Sequence, residues 1–448
     1  MKPEKSGPDA ADAAGLPDKS DDEIAAPETF GATPAHHNGR VNGRSHYGDG
    51  QSRDGHRSPP DRNGENPLRS FSMTRHAAGA ETQSDQDMAG ADSRPLGSEE
   101  IYGALDLGTN NCRLLLARPS RRGFRVVDAF SRIIRLGEGV SQTGRLSDLA
   151  MDRTMEALRV CAGKLQRHNV SRARLVATQA CRVAENGPAF VDNVRRNFDL
   201  DIEILTPEIE AHLAVAGCAT LIDPGADYVL VFDIGGGSSE IIWLDMTRLG
   251  GRQDVLGGRN DVDEAIVAWE SLPVGVVTLA EHFGGRDVTK ASFAAMSQAV
   301  TELLLPFEQK HRFRELMSGK SVHFLGTSGT VTTIAGVMLG LERYDRKRVD
   351  GIWLGLKEID EVTSELLGWS YDERVQQPCI GRERADLVLA GCAILDAILK
   401  LWPGDRLRVA DRGLREGILM RLMMEDGVWR AGRRRRGRGK RARGSRAS

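Results

Sequence analysis

Asp233 and Glu240 flank a Gly235-Gly236-Gly237-Ser238-Ser239 turn in the stretch YVLVFDIGGGSSEIIWL at 228–244, between two apolar, β-rich runs. Successive glycines have no Cβ to hold a ligand away and reach φ > 0 without strain, so their N–H groups can converge on an anion. Such a turn suits phosphate. Two carboxylates would repel a bare phosphate, which makes sense if Asp233 or Glu240 holds a divalent cation bridging to it. A glycine-rich hairpin with ordinary surface acids has the same local appearance. The plan recurs, however: ALDLGTNN places Asp106 before a Gly108-Thr109-Asn110-Asn111 bend, 127 residues ahead of Asp233. Two Asp-x-Gly hairpins at domain-scale separation predict a duplicated fold with one phosphate loop from each half. A third turn, Gly326-Thr327-Ser328-Gly329-Thr330, follows an apolar run and opens a helix, another backbone-donor site suited to phosphate or nucleotide.

These turns need strands to present them and helices to cover the strands. Apolar runs predict strands into Asp106, over Leu114 to Ala117, Phe124 to Ser131, Arg174 to Thr178, Asp201 to Leu205, and on both sides of the triple-glycine turn. Leu149, Met155, Leu158 and Leu165 recur at helical spacing, with Ser147 as N-cap. Thr206 caps a helix that starts with Pro207 and carries Glu208, Glu210 and His212. Glutamates in a first turn commonly serve the helix dipole, and local sequence alone reads them that way. The polar stretch 245–263 reads as a surface loop, helices fill most of 356–402, and a last strand and amphipathic helix follow. The alternation predicts an α/β protein.

A chain of 448 residues has room for two or three domains. Its six cysteines form no CxxC pair and no zinc-ligand spacing, so they read as small buried apolar residues in a reducing cytoplasm. There is no apolar run of transmembrane length, and the first residues lack the order of a secretory signal, so a soluble cytoplasmic protein is expected. Residues 1–99 are polar, glycine-rich and without apolar periodicity, which predicts disorder and no catalytic part. The net charge of −2 conceals ten Arg and Lys with no acid in 430–448, leaving −12 on the remainder. That end is expected to be a flexible polycation able to gather polyanions such as polyphosphate or RNA, or to meet an anionic surface.

Taken together, the motifs resemble the exopolyphosphatase and guanosine pentaphosphate phosphohydrolase family, the Ppx/GppA phosphatases. They are ALDLGTNNCRLLLA (104–117), ATQACRVAENG (177–187), EIEAHL (208–213), VFDIGGGSSE (231–240), SLPVG (271–275), FLGTSGTVTTIA (324–335), and GRERADLVLAG through VADRGLREGIL (381–419). The resemblance implies a duplicated ribonuclease-H-like fold of the actin, hexokinase and Hsp70 superfold, in its short form. Lobe I would span 100–220 and lobe II 221–428, with the final helix packing back on lobe I and a basic tail over 429–448. An interlobe cleft would hold a phosphate chain. Glu210 would be the general base that activates water, and Arg182 would neutralise charge on the transferred group. Magnesium would be held by Asp233 and Glu240 with help from Asp106. Gly108, Thr109, Asn110, Gly235, Gly236, Gly237 and Ser238 would bind phosphate oxygens, alongside the third turn's Gly326, Ser328 and Gly329. Two departures stand out beside Glu210. Pro207 has no N–H to offer phosphate, and His212 stands where the family carries arginine. The implied activity is magnesium-dependent release of terminal orthophosphate from inorganic polyphosphate. The alternative is 5′-phosphate removal from guanosine pentaphosphate, followed by phosphotransfer or a non-catalytic phosphate-binding regulator, with a homodimer as a possible assembly.

Overall fold

Strands β1 (Tyr102–Leu107), β2 (Asn111–Ser120) and β3 (Gly123–Ile133) form an antiparallel run, to which β4 (Arg172–Ala177) and β5 (Ile202–Ile204) add in parallel, in the order β3-β2-β1-β4-β5. A second sheet repeats the plan. Here β6 (Tyr228–Ile234), β7 (Ser239–Asp245) and β8 (Ile266–Leu272) are antiparallel, and β9 (Val322–Thr327) and β11 (Arg406–Ala410) extend β6 in parallel. The short β10 (Trp353–Gly355) pairs antiparallel with β11 at the edge. This repeated order is the ribonuclease-H-like arrangement of the actin, hexokinase and Hsp70 superfold. The computed structural model describes residues 100–121, 123–249 and 261–429. The expectations for 1–99 and 430–448, and most of the loop expected at 245–263, lie outside the described residues.

Both sheets are covered on two faces, which is why their central strands read as unbroken apolar runs. Along β6, Leu230 and Phe232 enter one core with Trp243 and Phe324, while Val229 and Val231 enter another with Ile242 and Leu244. In the first sheet, Leu105, Leu114 and Leu116 face the Asp148–Arg167 helix through Leu158 and Cys161. Ser147 caps that helix by accepting from the Ala150 N–H at 3.3 Å. Leu149, expected on its buried stripe, is instead 73% exposed. It lies about two and a half turns from Leu158, on the opposite face of the helix, while its neighbour Ala150 is fully buried. All six cysteines are buried and unpaired. No helix among the described residues is long and apolar enough to cross a membrane.

Two helices are exchanged between the sheets. The Pro207–Cys218 helix follows β5 of the first sheet yet buries Ala211, Val215 and Cys218 against Val229, Val231 and Ile242 of the second. The Leu414–Glu425 helix follows β11 of the second sheet yet buries Ile418, Leu419 and Leu422 against Tyr102, Ala104 and Leu115 of the first. They touch through glycine. A Cβ on Gly217 would lie 1.9 Å from Gly413 O, and one on Gly417 would lie 2.0 Å from Leu213 O. Backbone atoms cannot rotate aside as a side chain can. Gly417→Ala gains up to about 1 kcal/mol of helix propensity, but the forced separation of the helices costs more, and a net loss of about 1–3 kcal/mol is expected. A denaturant midpoint equal to or above that of the wild type would refute the close-approach role.

His323 in β9 gives the fold a pH dependence. Its Nδ1 accepts the Asp223 N–H at 2.9 Å, and the ring lies 4.8 Å from that of Trp353. Burial, reinforced by Arg408 and Arg406 against the opposing pull of Asp223, pushes its pKa down to about 4. A folded pKa below the unfolded value of about 6.5 means that the unfolded chain binds the extra proton first. The stabilisation is complete above about pH 6.5 and is lost as pH falls toward 4, by roughly 3 kcal/mol. His323→Asn keeps an acceptor and removes the titration. Its unfolding free energy should fall less between pH 7 and 4, and an unchanged slope would exclude His323 as the cause.

Candidate active site

The two hairpins place their acids near the carboxyl ends of β1 and β6, one strand in each sheet, where open α/β sheets bind ligands. Asp106 is the next-to-last residue of β1, opposite Arg113 of β2. Asp233 is the next-to-last residue of β6, between Glu240 of β7 and Thr327 of β9. The turns that follow are built alike: the Gly108 N–H donates to Asn111 O at 2.9 Å, and the Gly235 N–H donates to Ser238 O at 3.0 Å. The two turns abut. A Cβ on Gly236 would lie 3.0 Å from Thr109 Cβ, and one on Gly237 would lie 2.8 Å from Thr109 Oγ1. Ser328 closes the third side with φ +73°, a left-handed conformation rare outside glycine and typical of strained functional turns. One cleft is lined by Asp106, Gly108, Thr109, Asn110, Glu210, Asp233, Gly235, Gly236, Gly237, Ser238, Glu240, Ser328 and Gly329.

Glu210 lies in the first turn of its helix with its side chain only 13% exposed. Burial raises its pKa well above the ordinary carboxylate range, and the charge of Glu240 adds to the rise. Arg182 opposes this, with Nη1 donating to Glu210 Oε2 at 2.9 Å. Burial and then the charge of Asp233 push Glu240 up to about 7, against the hydroxyls of Ser238 and Ser271, which donate to Oε1 at 2.8 and 2.9 Å. Asp106 is raised by burial despite Arg113 and Arg415, and Asp233 by burial despite Ser328 and Thr327. Four carboxyl groups so crowded and so poorly solvated call for a cation.

Among the described residues, no three or more His, Cys, Asp or Glu gather closely enough to hold a metal by themselves. A magnesium ion would take one or two carboxylates and complete its octahedron with water and substrate phosphate. Asp233 Oδ1 is buried without a hydrogen-bond partner, as is Asn110 Oδ1. The first is the oxygen best suited to the ion, so the residues fit it.

Two expected site residues stand outside the cleft lining. Gly326 lies within β9, where a Cβ would come 2.7 Å from Phe232 and from Val331; close packing requires its glycine. Arg182 sits behind Glu210, with Nη1 also reaching Leu205 O at 2.8 Å and Nη2 reaching Gln179 Oε1 at 2.6 Å. It therefore meets the site through the carboxylate it holds. The two departures beside Glu210 also point elsewhere. Pro207 occupies the first helical position behind the Thr206 cap, and neither it nor His212 lines the cleft. His212 Nδ1 pairs with Asp263 at 3.2 Å, and Asp263 in turn accepts from Arg421 at 2.6 Å.

The sequence reading missed much of the cleft's positive wall, formed by Arg113, Arg384, Arg412 and Arg415, and the acids Asp411 and Glu416. Arg113 had a signal: it is the one charge in the otherwise apolar run CRLLLA that follows the first turn. Asp411 accepts from Tyr344 at 2.7 Å, and Glu416 accepts from Arg346 at 2.8 Å and from the Gly413 N–H at 3.0 Å, which orders the start of the last helix.

A family model described as the Ppx/GppA phosphatase family matches residues 116–426. Among solved structures, a Ppx/GppA family member of Aquifex aeolicus is 26% identical, with a TM-score of 0.58 over 73% of this chain and 98% of that one. A protein described as exopolyphosphatase-like is 27% identical, with a TM-score of 0.63 over 72% of this chain and 99% of that one. An exopolyphosphatase from Cytophaga hutchinsonii, 23% identical over 73% of this chain and 99% of that one, shares the fold with a TM-score of 0.63.

Proposed function

Because the chain belongs to the Ppx/GppA phosphatase family, we propose that its cleft releases terminal orthophosphate from inorganic polyphosphate by attack of water. The observation that carries the reading is Glu210: a buried carboxylate, raised by burial and by Glu240 well above the ordinary carboxylate range and clamped by Arg182, facing two glycine turns. Such a group accepts a proton from water more readily than an ordinary glutamate does. The N–H groups of Asn110, Gly236 and Gly237 bind the oxygens of the terminal phosphate, and Arg113 and Arg415 offset its charge. Magnesium, held by Asp233 and Glu240 with Asp106 nearby, supplies the charge neutralisation that lets a polyanion enter among carboxylates. Polyphosphate is favoured as substrate because the neighbour at 27% identity is described as exopolyphosphatase-like.

The deciding assay measures phosphate release from long polyphosphate, short polyphosphate and guanosine pentaphosphate side by side with magnesium. Higher kcat/KM on either polyphosphate supports the reading. Preference for the nucleotide would reassign the substrate within the same chemistry, and release from none would remove the hydrolase assignment.

A further inference from the structure

Each phosphate turn is backed by a segment that holds its carbonyl groups. Behind the first, the Gly137 N–H donates to Thr109 O at 2.9 Å, and those of Ile134 and Arg135 donate to Asn110 O at 2.9 and 3.1 Å. Behind the second, Val276 and Val277 begin the Val276–Phe283 helix, and their N–H groups donate to Gly235 O and Gly236 O at 3.0 and 2.8 Å. A trans peptide plane points its C=O and its N–H in opposite directions. Carbonyls of Thr109, Gly235 and Gly236 turned onto the backing segments therefore leave the N–H groups of Asn110, Gly236 and Gly237 directed away from them, on the side of the cleft. The fit is tight: a Cβ on Gly137 would lie 2.3 Å from Thr109 Cγ2, and one on Gly275 would lie 2.4 Å from the Gly236 carbonyl carbon.

The two backing segments are tied to one another. Glu281, on the Val276–Phe283 helix, accepts from the Gly139 N–H through Oε1 at 2.8 Å and from the Ser141 hydroxyl through Oε2 at 2.7 Å. Arg135 ties the first segment to a different part of the chain, donating to Asp386 Oδ1 at 2.9 Å and to Glu383 O at 3.3 Å. One carboxylate thus spans 140 residues of sequence and joins the element behind one turn to the element behind the other. It does so without lining the cleft.

We propose that Glu281 is a positioning residue: by bridging the segments that hold the two phosphate turns, it sets their register, so that one terminal phosphate meets the N–H groups of both. The kinetic consequence rests on the hydrolase reading above; the bridge itself is a property of the fold. Glu281 is half-buried.

In Glu281→Ala, amide hydrogen exchange should accelerate about fivefold or more in both 107–112 and 234–239, while β4 exchanges as in the wild type. The kcat/KM for polyphosphate should fall about tenfold, mostly through KM, because two misregistered turns grip the phosphate less well. Glu281→Gln keeps an acceptor for Gly139 and should recover part of both effects. Ser141→Ala removes one of the two contacts and should fall between wild type and Glu281→Ala. Unchanged exchange in both turns, or acceleration confined to 276–283, would overturn the proposal. Should the wild type release phosphate from no substrate, the hydrolase reading fails, and the exchange data still decide the bridge.

Discussion

Glu210→Gln lowers turnover by about 10²- to 10⁴-fold and leaves substrate binding intact. The amide keeps the shape of the side chain and an oxygen for the Arg182 Nη1 donor that now lies 2.9 Å from Glu210 Oε2. What it loses is the ability to take a proton from water. It also removes the negative charge that faces Glu240, whose carboxyl is pushed up to about 7 by burial and then by Asp233. An anionic substrate then meets one charge fewer, so its binding should hold or tighten. The measurement is kcat and KM from phosphate release, with substrate binding followed separately by calorimetry. A variant that keeps more than half of the wild-type turnover would take Glu210 out of the chemistry. Loss of binding together with turnover would make it a structural residue of the cleft.

Asp233→Asn should raise the magnesium concentration needed for half-maximal activity about 10- to 100-fold and lower the maximal rate. Asp233 offers an oxygen that is buried and unpartnered, and asparagine is a far weaker ligand for a hard cation. The same substitution has a second, opposite readout. Burial holds the Asp233 carboxyl above its ordinary range, against the lowering effect of the nearby Ser328 and Thr327 hydroxyls. A raised carboxyl contributes its stability below the unfolded pKa and loses it as pH climbs through the folded value. At neutral pH without magnesium, burying this carboxyl is therefore a cost to the fold. Asp233→Asn removes that cost, so the metal-free variant should unfold at a higher denaturant concentration than the metal-free wild type. A magnesium titration that superimposes on the wild type would dismiss Asp233 as a ligand. A variant destabilised without metal would mean that its carboxylate serves packing.

The sequence alone determines the features that are local in the chain. Glycine turns after aspartate-ended strands are legible because strand, turn and strand form one hairpin, and both hairpins appear where the runs of β-rich residues place them. The Thr206 and Ser147 caps are legible for the same reason, since a cap acts within its own first turn, as the 3.3 Å contacts to Ile209 and Ala150 show. The recurrence of the Asp-x-Gly plan extends this local signal to a duplicated sheet order, which the two sheets carry.

Direction in space is decided only by the tertiary structure. Gly326 belongs to the same GTSGT signal as Ser328, yet it serves contact with Phe232 and Val331, because strand register, not motif membership, sets which residues reach the cleft. Leu149 meets solvent because it lies about half a turn away from the face that Ala150 and Leu158 bury. Glu210 and His212 are two positions apart on one helix, a spacing that turns side chains to opposite faces. The first therefore enters the cleft and the second pairs with Asp263. Arg182 finds Glu210 across 28 residues, and Glu281 finds Ser141 across 140. No local preference encodes such pairs. The exchange of two helices between the sheets, packed through glycines, is likewise decided by burial that depends on both sheets being complete.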